Sequence, residues 1–195
     1  MWKRGAEAVI YVWQEKLEGV KGVSLGIFSA LMLALSAKVK IYLPFTPVPI
    51  TAQTLALFLI ALFLRGFLAP LAVSFYLLFG MLGLPYFAGS TAGISYLFGP
   101  TGGYLIGFLI AAWMVSRWAS PSSFWKTFFV LILANFIIYA LGVLWLSHWV
   151  GGLKKAICLG MLPFISGDLL KILLAVSIYR SVYGFCSARR FKKNS

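Results

Sequence analysis

Asp168 and Lys171 are the residues of this chain best suited to do chemistry. Asp168 is the only acid after Glu18, and it stands in the run PFISGDLLKILLAVSIY, three residues before Lys171. Each such charge costs roughly 2.5–3.5 kcal/mol at the centre of a membrane helix and less near its ends. At i and i+3 the two share one helix face. In a first turn, the helix dipole favours the carboxylate. Asp accepts N–H bonds, and Lys donates to an oxygen or neutralises a carboxylate. Such a pair either holds a polar ligand edge or is a mutual ion pair that merely lets the helix insert.

The elements around them belong to a membrane protein. The chain has 195 residues, of which 62% are hydrophobic and 11% charged, with a mean hydropathy of +0.95. A soluble domain carries about 25% charge. Seven Trp, nine Tyr and seventeen Phe suit interfacial belts. The net charge of +13 does not indicate a nucleic-acid partner, because the basic residues form no single patch. They sit at the ends of apolar spans, the pattern that orients membrane proteins and attracts anionic lipid. Cys158 and Cys186 lack metal spacing and read as apolar filler rather than a bridge. Residues 1–22 hold seven charges of both signs, too many and too mixed for a signal peptide. They read as a mildly amphipathic cytoplasmic or interfacial helix, with Trp2 and Trp13 as anchors.

Charge gaps locate six spans in an all-α fold. Residues 23–41 form the first. No charge falls between Lys40 and Arg65, an interval with a Pro-rich loop and a short helix over 51–64. None falls between Arg65 and Arg117, enough for two spans separated by the Gly-rich residues 85–103, since one span needs about 20 residues. Residues 124–146 form the fifth span and 167–183 a rather short sixth, with Ser166 placed to cap it. With the N-terminus inside, twelve basic residues fall on the cytoplasmic side; Lys38, Lys40, Lys154 and Lys155 fall outside. Both termini are therefore expected in the cytoplasm. The domain reading is an N-terminal segment 1–22, a membrane substrate-binding domain 23–184 and a basic cytoplasmic tail 185–195.

Three irregular segments then fall at the outer face: YLPFTPVPITAQT, GLPYFAGSTAGISYLFGPTGGY and MLPFISGDLLK. Irregular backbone at membrane depth survives only inside protein or beside a wet cavity. Three such segments on one side imply an outward pocket. Its inventory is Asp168 and Lys171; Gly89, Gly93, Gly102 and Gly103 for close backbone approach; Thr51, Gln53, Ser90 and Tyr104 as neutral hydrogen-bonding groups; and Tyr86, Phe87, Tyr96 and Phe98 as walls. A small ligand with polar edges and an apolar body fits this set. The glycines are alternatively plain turn residues, and the aromatics belt residues. Asn135 reads as an interhelical hydrogen bond and His148 as interfacial.

Sharper motifs are absent. GPTGGY is neither a potassium filter nor a phosphate loop, and no HExxH, paired-Asp or Ser-His-Asp set appears. No metal site or cofactor is expected. Any ATP must be used by another subunit. In the first span, Ala30 and Ala34 follow Gly26 at AxxxA spacing, which suits close docking onto another membrane subunit.

The runs FTPVPITAQTLALFL, GLPYFAGSTAGISYLFGPTGGYLIGF and PFISGDLLK, in this order, resemble BioY, the biotin-binding S components of energy-coupling-factor (ECF) transporters. The resemblance covers residues 24–184. It implies six helices and an outward-facing biotin site. By motif position Asp168 would accept a ureido N–H, and Lys171 would bind the polar head or the carboxylate. Gly89 to Gly93 and Tyr96 would border the ring. The AxxxA helix would dock on the transmembrane T component, and two ATPase subunits would supply energy. The chain departs from the family's pattern at Ser166, where Pro is frequent. It also departs at Gly89, where some members carry Asn; Ser90 stands next to it.

The reading is a non-enzymatic biotin-capturing S component. The rivals are an S component or small transporter for another vitamin, an intramembrane enzyme with Asp168 as base and Lys171 as acid, and solitary uptake without ATPase partners.

Overall fold

The computed structural model describes residues 20–88 and 92–193, with side chains described to residue 185. Helix α1 spans Val20–Lys38. The chain then forms a two-stranded antiparallel ribbon, β1 Lys40–Ile41 and β2 Ile50–Thr51, in which Lys40 faces Thr51 and Ile41 faces Ile50. The ribbon lies within what the sequence reads as irregular loop. Helices follow as α2 Gln53–Phe63, α3 Leu68–Met81, α4 Ile94–Leu97, α5 Gly102–Trp118, α6 Phe124–Val150, α7 Leu153–Gly160 and α8 Ile165–Lys193. A 3-10 turn, Leu162–Phe164, leads into α8.

Among the described residues, three helical stretches are long and apolar enough to cross a membrane: Val20–Lys38, Phe124–Val150 and Leu153–Phe185. The protein is an integral membrane protein built on six main helices, and they differ in reach. Helix α6 has 27 residues, about 40 Å, and exceeds the roughly 30 Å hydrocarbon layer. Helix α2 has 11 residues, about 16 Å, so it reaches only halfway. Its place in the fold explains how this is tolerated. It packs against α1, α3, α5 and α8, and Leu57, Phe58, Ala61 and Leu62 are buried around it.

Close packing carries the bundle, because burial from lipid gives little hydrophobic drive. Helices α5 and α6 approach through glycine. A Cβ at Gly103 would lie 2.4 Å from the Leu141 carbonyl, and one at Gly107 2.9 Å from Ile138 Cα. At Gly142 it would lie 2.3 Å from the Tyr104 ring. Helix α1 packs on α3 with Gly26 against Phe75. Ser123 caps α6 by accepting the Lys126 N–H at 3.3 Å, and Gly151 ends it at φ 79°. Large apolar side chains, among them Phe28, Leu35, Phe136, Leu170 and Leu174, remain exposed and face the bilayer.

Three expectations are corrected. Ser166 does not cap the last helix, because it lies inside α8, which starts at Ile165 after the Pro163-bearing turn. That helix is not short: it runs 29 residues, since Arg180 and the residues beyond it continue the helix past the apolar stretch. Cys158 is exposed on α7 and is not filler. The amphipathic helix expected over 1–22 lies, apart from its last residues, outside the described residues.

Candidate functional site

The three irregular segments meet on one cavity. It holds about 620 Å³ of empty space including its open mouth. The first segment contributes Val48, Pro49, Thr51, Gln53 and Thr54; the second Ala88, Tyr96 and Thr101; the third Phe164, Asp168 and Lys171, with Gly160 just before it. Tyr76, Phe108, Ile138 and Tyr139 close the apolar wall. Hydrogen bonds tie the segments to the helices around them. Thr46 Oγ1 donates to the Leu159 carbonyl at 2.7 Å, Trp145 Nε1 donates to the Gly99 carbonyl at 2.9 Å, and Lys38 Nζ donates to the Pro85 carbonyl.

Asp168 is 4% exposed and is the only acid among the described residues. Its Oδ1 accepts from Lys171 Nζ at 2.7 Å and from Thr54 Oγ1 at 3.1 Å. Its Oδ2 accepts from Tyr139 Oη at 2.6 Å. A carboxylate offers about four lone-pair sites, so one remains for a ligand donor. Lys171 Nζ also donates to the Thr51 carbonyl at 2.8 Å and to Thr54 Oγ1 at 3.0 Å. All three ammonium protons are thereby placed. A ligand oxygen reaches Lys171 only by exchanging with one of these acceptors. The pair is an ion pair, but one built into a cavity wall with two hydroxyls attached. The N-terminus of α2 lies at the same wall through Gln53 and Thr54, where the helix dipole favours ligand oxygen, although the Gln53 N–H already donates to Thr51 Oγ1 at 3.3 Å.

The other expected site residues divide. Gln53, Tyr96 and Tyr104 line the cavity. Gln53 Nε2 donates to Tyr76 Oη at 2.7 Å, so its amide is already partnered on that side. The Tyr104 hydroxyl donates to the Gly160 carbonyl at 2.8 Å and keeps only lone pairs for a ligand. Tyr96 stacks on the buried Phe87, with ring centroids 4.8 Å apart, so Phe87 backs the wall from behind. Gly93 is not among the lining residues; at φ 97° it turns the chain, and its N–H donates to the Gly80 carbonyl at 2.8 Å. Phe98 is exposed and forms no wall. Gly89 and Ser90 lie outside the described residues.

Two placements depart from expectation. Ala30 and Ala34 are 0% and 3% exposed, buried on the α1 face that begins with Gly26 against α3. On this packing they offer no surface to a partner subunit. Small residues permit close approach, and here the approach is internal. Asn135 is buried, and its Oδ1 accepts no hydrogen bond from the described residues, so the expected interhelical bond is not seen at that oxygen.

Thr54, Tyr139 and Tyr76 are site residues that the sequence reading missed. Thr54 adjoins Gln53 in PVPITAQT, and its hydroxyl had a visible signal there. Tyr139 stands in an unbroken apolar run and carries no such signal.

A family model described as the BioY family matches residues 14–187. The chain belongs to the BioY family. Among its relatives, the biotin transporter BioY of Thermotoga maritima is 39% identical over 157 residues, 80% of this chain and 91% of that one. The probable biotin transporter BioY of Pyrococcus horikoshii is 37% identical, covering 84% of this chain and 97% of its own length. The biotin transporter BioY2 of Lactococcus lactis subsp. cremoris is 34% identical over 76% of this chain and 86% of its own length. The crystal structure of the S-component for biotin from an ECF-type ABC transporter has the same fold. Its TM-score is 0.75 at 24% identity, over 84% of this chain and 90% of that chain.

Proposed function

We propose that this chain is a biotin-capturing S component that mediates biotin uptake. The observation that carries the reading is the convergence of all three family-like runs on one cavity whose polar wall is Asp168, Lys171, Thr54 and Tyr139. Biotin suits it chemically: a ureido edge for the charged wall, an apolar thioether ring for Tyr96 and the aromatic side, and a carboxylate tail. Asp168 accepts a ureido N–H at its remaining lone pair. Lys171 turns from one of its present acceptors to a ligand oxygen, of the ureido group or of the carboxylate. Gly89, Ser90 and Gly93 belong to the segment that borders the ring, and Gln53 and Tyr104 hold the wall in shape.

The cavity opens outward in this reading, with both termini cytoplasmic, 1–22 as an interfacial segment, 23–184 as the substrate-binding domain and 185–195 as a basic tail. Energy comes from two ATPase subunits acting through a transmembrane T component. The named relatives are transporters, and the enzyme reading is set aside on that ground.

Equilibrium binding of radiolabelled biotin to the purified protein in detergent tests the proposal. Saturable binding tighter than micromolar, displaced by unlabelled biotin and not by other water-soluble vitamins, is expected. Micromolar or weaker binding, or displacement by another vitamin, overturns the biotin assignment.

A further inference from the structure

The end of the bundle that holds the cavity is strongly positive. On the orientation proposed above it is the outer face, where Lys and Arg are normally scarce. Lys38, Lys40, Lys154 and Lys155 all stand there. Asp168 is the only acid among the described residues, and Lys171 matches its charge at 2.7 Å, so no described carboxylate remains to cancel the charge of that end. The four lysines border the cavity. Lys40 faces Thr51, a lining residue, across the β1–β2 ribbon, and its Nζ lies 4.9 Å from the centre of the Tyr42 ring. Lys38 Nζ donates to the Pro85 carbonyl, in the segment that brings Ala88 to the wall. Lys154 and Lys155 are exposed on α7, whose last residue, Gly160, lines the cavity. Along the helix axis they stand about 8–9 Å from it. An aromatic face or a carbonyl orients an ammonium without neutralising it.

We infer that Lys38, Lys40, Lys154 and Lys155 form an electrostatic rim that steers an anionic ligand into the cavity, drawing it by its carboxylate before the wall at Asp168 recognises its polar edge. Biotin suits such a rim, because its tail carboxyl is ionised at neutral pH. The Debye length is about 8 Å at physiological ionic strength, so the rim's field covers the mouth and little beyond it. Apolar walls such as Phe108 and Ile138 keep the dielectric low beneath it and concentrate that field. The basic residues at the other end of the bundle are too distant to take part. Arg117 lies about 22 Å along α5 from Gly102, which follows the lining Thr101. Rim charges of this kind act on the association rate and its salt dependence more than on the bound state. A neutral ligand gains nothing from them, so the rim selects by rate.

This rests on the biotin reading, and the experiment separates the two. Association and dissociation rates of radiolabelled biotin, and of its uncharged methyl ester, are measured by rapid filtration on protein in a non-ionic detergent at low and physiological salt. Failure of the wild type to bind biotin defeats the functional reading itself. Given binding, the biotin association rate is expected to fall about threefold to tenfold between about 10 mM and 150 mM salt, while the ester's rate stays flat. The triple variant Lys40→Gln, Lys154→Gln, Lys155→Gln spares Lys38, which holds the Pro85 carbonyl. It should bind biotin about threefold to tenfold more slowly at low salt, lose most of the salt dependence and keep the wild-type dissociation rate. The control, Arg117→Gln with Lys126→Gln, removes two charges at the far end and should match wild type. Lys154→Glu with Lys155→Glu should slow association further than the corresponding Gln pair. A salt-independent wild-type rate, an ester as salt-sensitive as biotin, or an equal loss in the far-end control overturns the inference. So does a loss carried by the dissociation rate, which would make the lysines contacts of the bound ligand.

Discussion

Lys171 Nζ lies 2.7 Å from Asp168 Oδ1, and the two groups stand in different states of completion. The ammonium has its three acceptors in Asp168, Thr54 and Thr51, whereas the carboxylate keeps a lone pair free. Ligand entry therefore adds a bond at Asp168 but exchanges one at Lys171. An added bond gives affinity; an exchanged one gives discrimination, since a ligand oxygen must match the acceptor it displaces.

From that asymmetry comes a prediction about the pair. Asp168→Asn should reduce biotin affinity about tenfold to a hundredfold, the worth of one charge-assisted bond, while membrane insertion is retained. It should also lower the melting temperature, because Lys171 is left without its counter-charge at a side chain only 17% exposed. Lys171→Met in the same chain removes the stranded charge. The double variant should regain part of the lost stability and bind biotin no more tightly than Asp168→Asn. Wild-type affinity in the double variant would reduce the pair to a device for helix insertion.

How much of this was legible beforehand depended on physics that is local in sequence. Charges are expensive in lipid, so the gaps between Lys40, Arg65 and Arg117 located the helices. Pro and Gly cannot continue helices, so the three irregular runs were visible, and the cavity forms where they meet. Asp168 and Lys171 announced themselves by rarity. The rest needed a partner in space. Tyr139 is one aromatic among many until Asp168 is seen 2.6 Å away. Ala30 and Ala34 declare close approach but not what approaches, and α3 takes that place. The two-residue strands at Lys40 and Ile50 are too short to leave any alternation to read.

A second prediction concerns the glycine contact behind Tyr104. At Gly142 an added methyl would lie 2.3 Å from a ring that is itself wedged between α5 and α6 and lines the cavity. The ring cannot withdraw without releasing its bond to the Gly160 carbonyl. Gly142→Ala should destabilise the protein by about 1–3 kcal/mol, the usual range for overpacking, and weaken biotin binding as Tyr104 moves. Gly184→Ala is the control: nothing lies within 4 Å of its added methyl, and removing a helix glycine gains about 0.5–1 kcal/mol. Melting curves in detergent and binding isotherms would read both. Equal behaviour of the two variants would mean that the α5–α6 contact is looser than described.

The proposed orientation is testable through Cys158. It is exposed on α7 and shares a helix face with Lys154, four residues before it, and Lys155, three before it. Two lysines on that face mark it as the water-facing side of an amphipathic helix beside the cavity mouth, so the thiol should be reachable from water. With Cys186 replaced by Ser, a membrane-impermeant maleimide should label intact cells fully, and permeabilising them should add nothing. Cys158→Ser should abolish the signal. Biotin uptake by the Cys186→Ser variant, measured in parallel, should match wild type, which ties the labelled orientation to the working one. Labelling that appears only after permeabilisation would invert the topology. It would place the cavity, and with it Asp168 and Lys171, at the cytoplasmic side, where capture from outside is impossible.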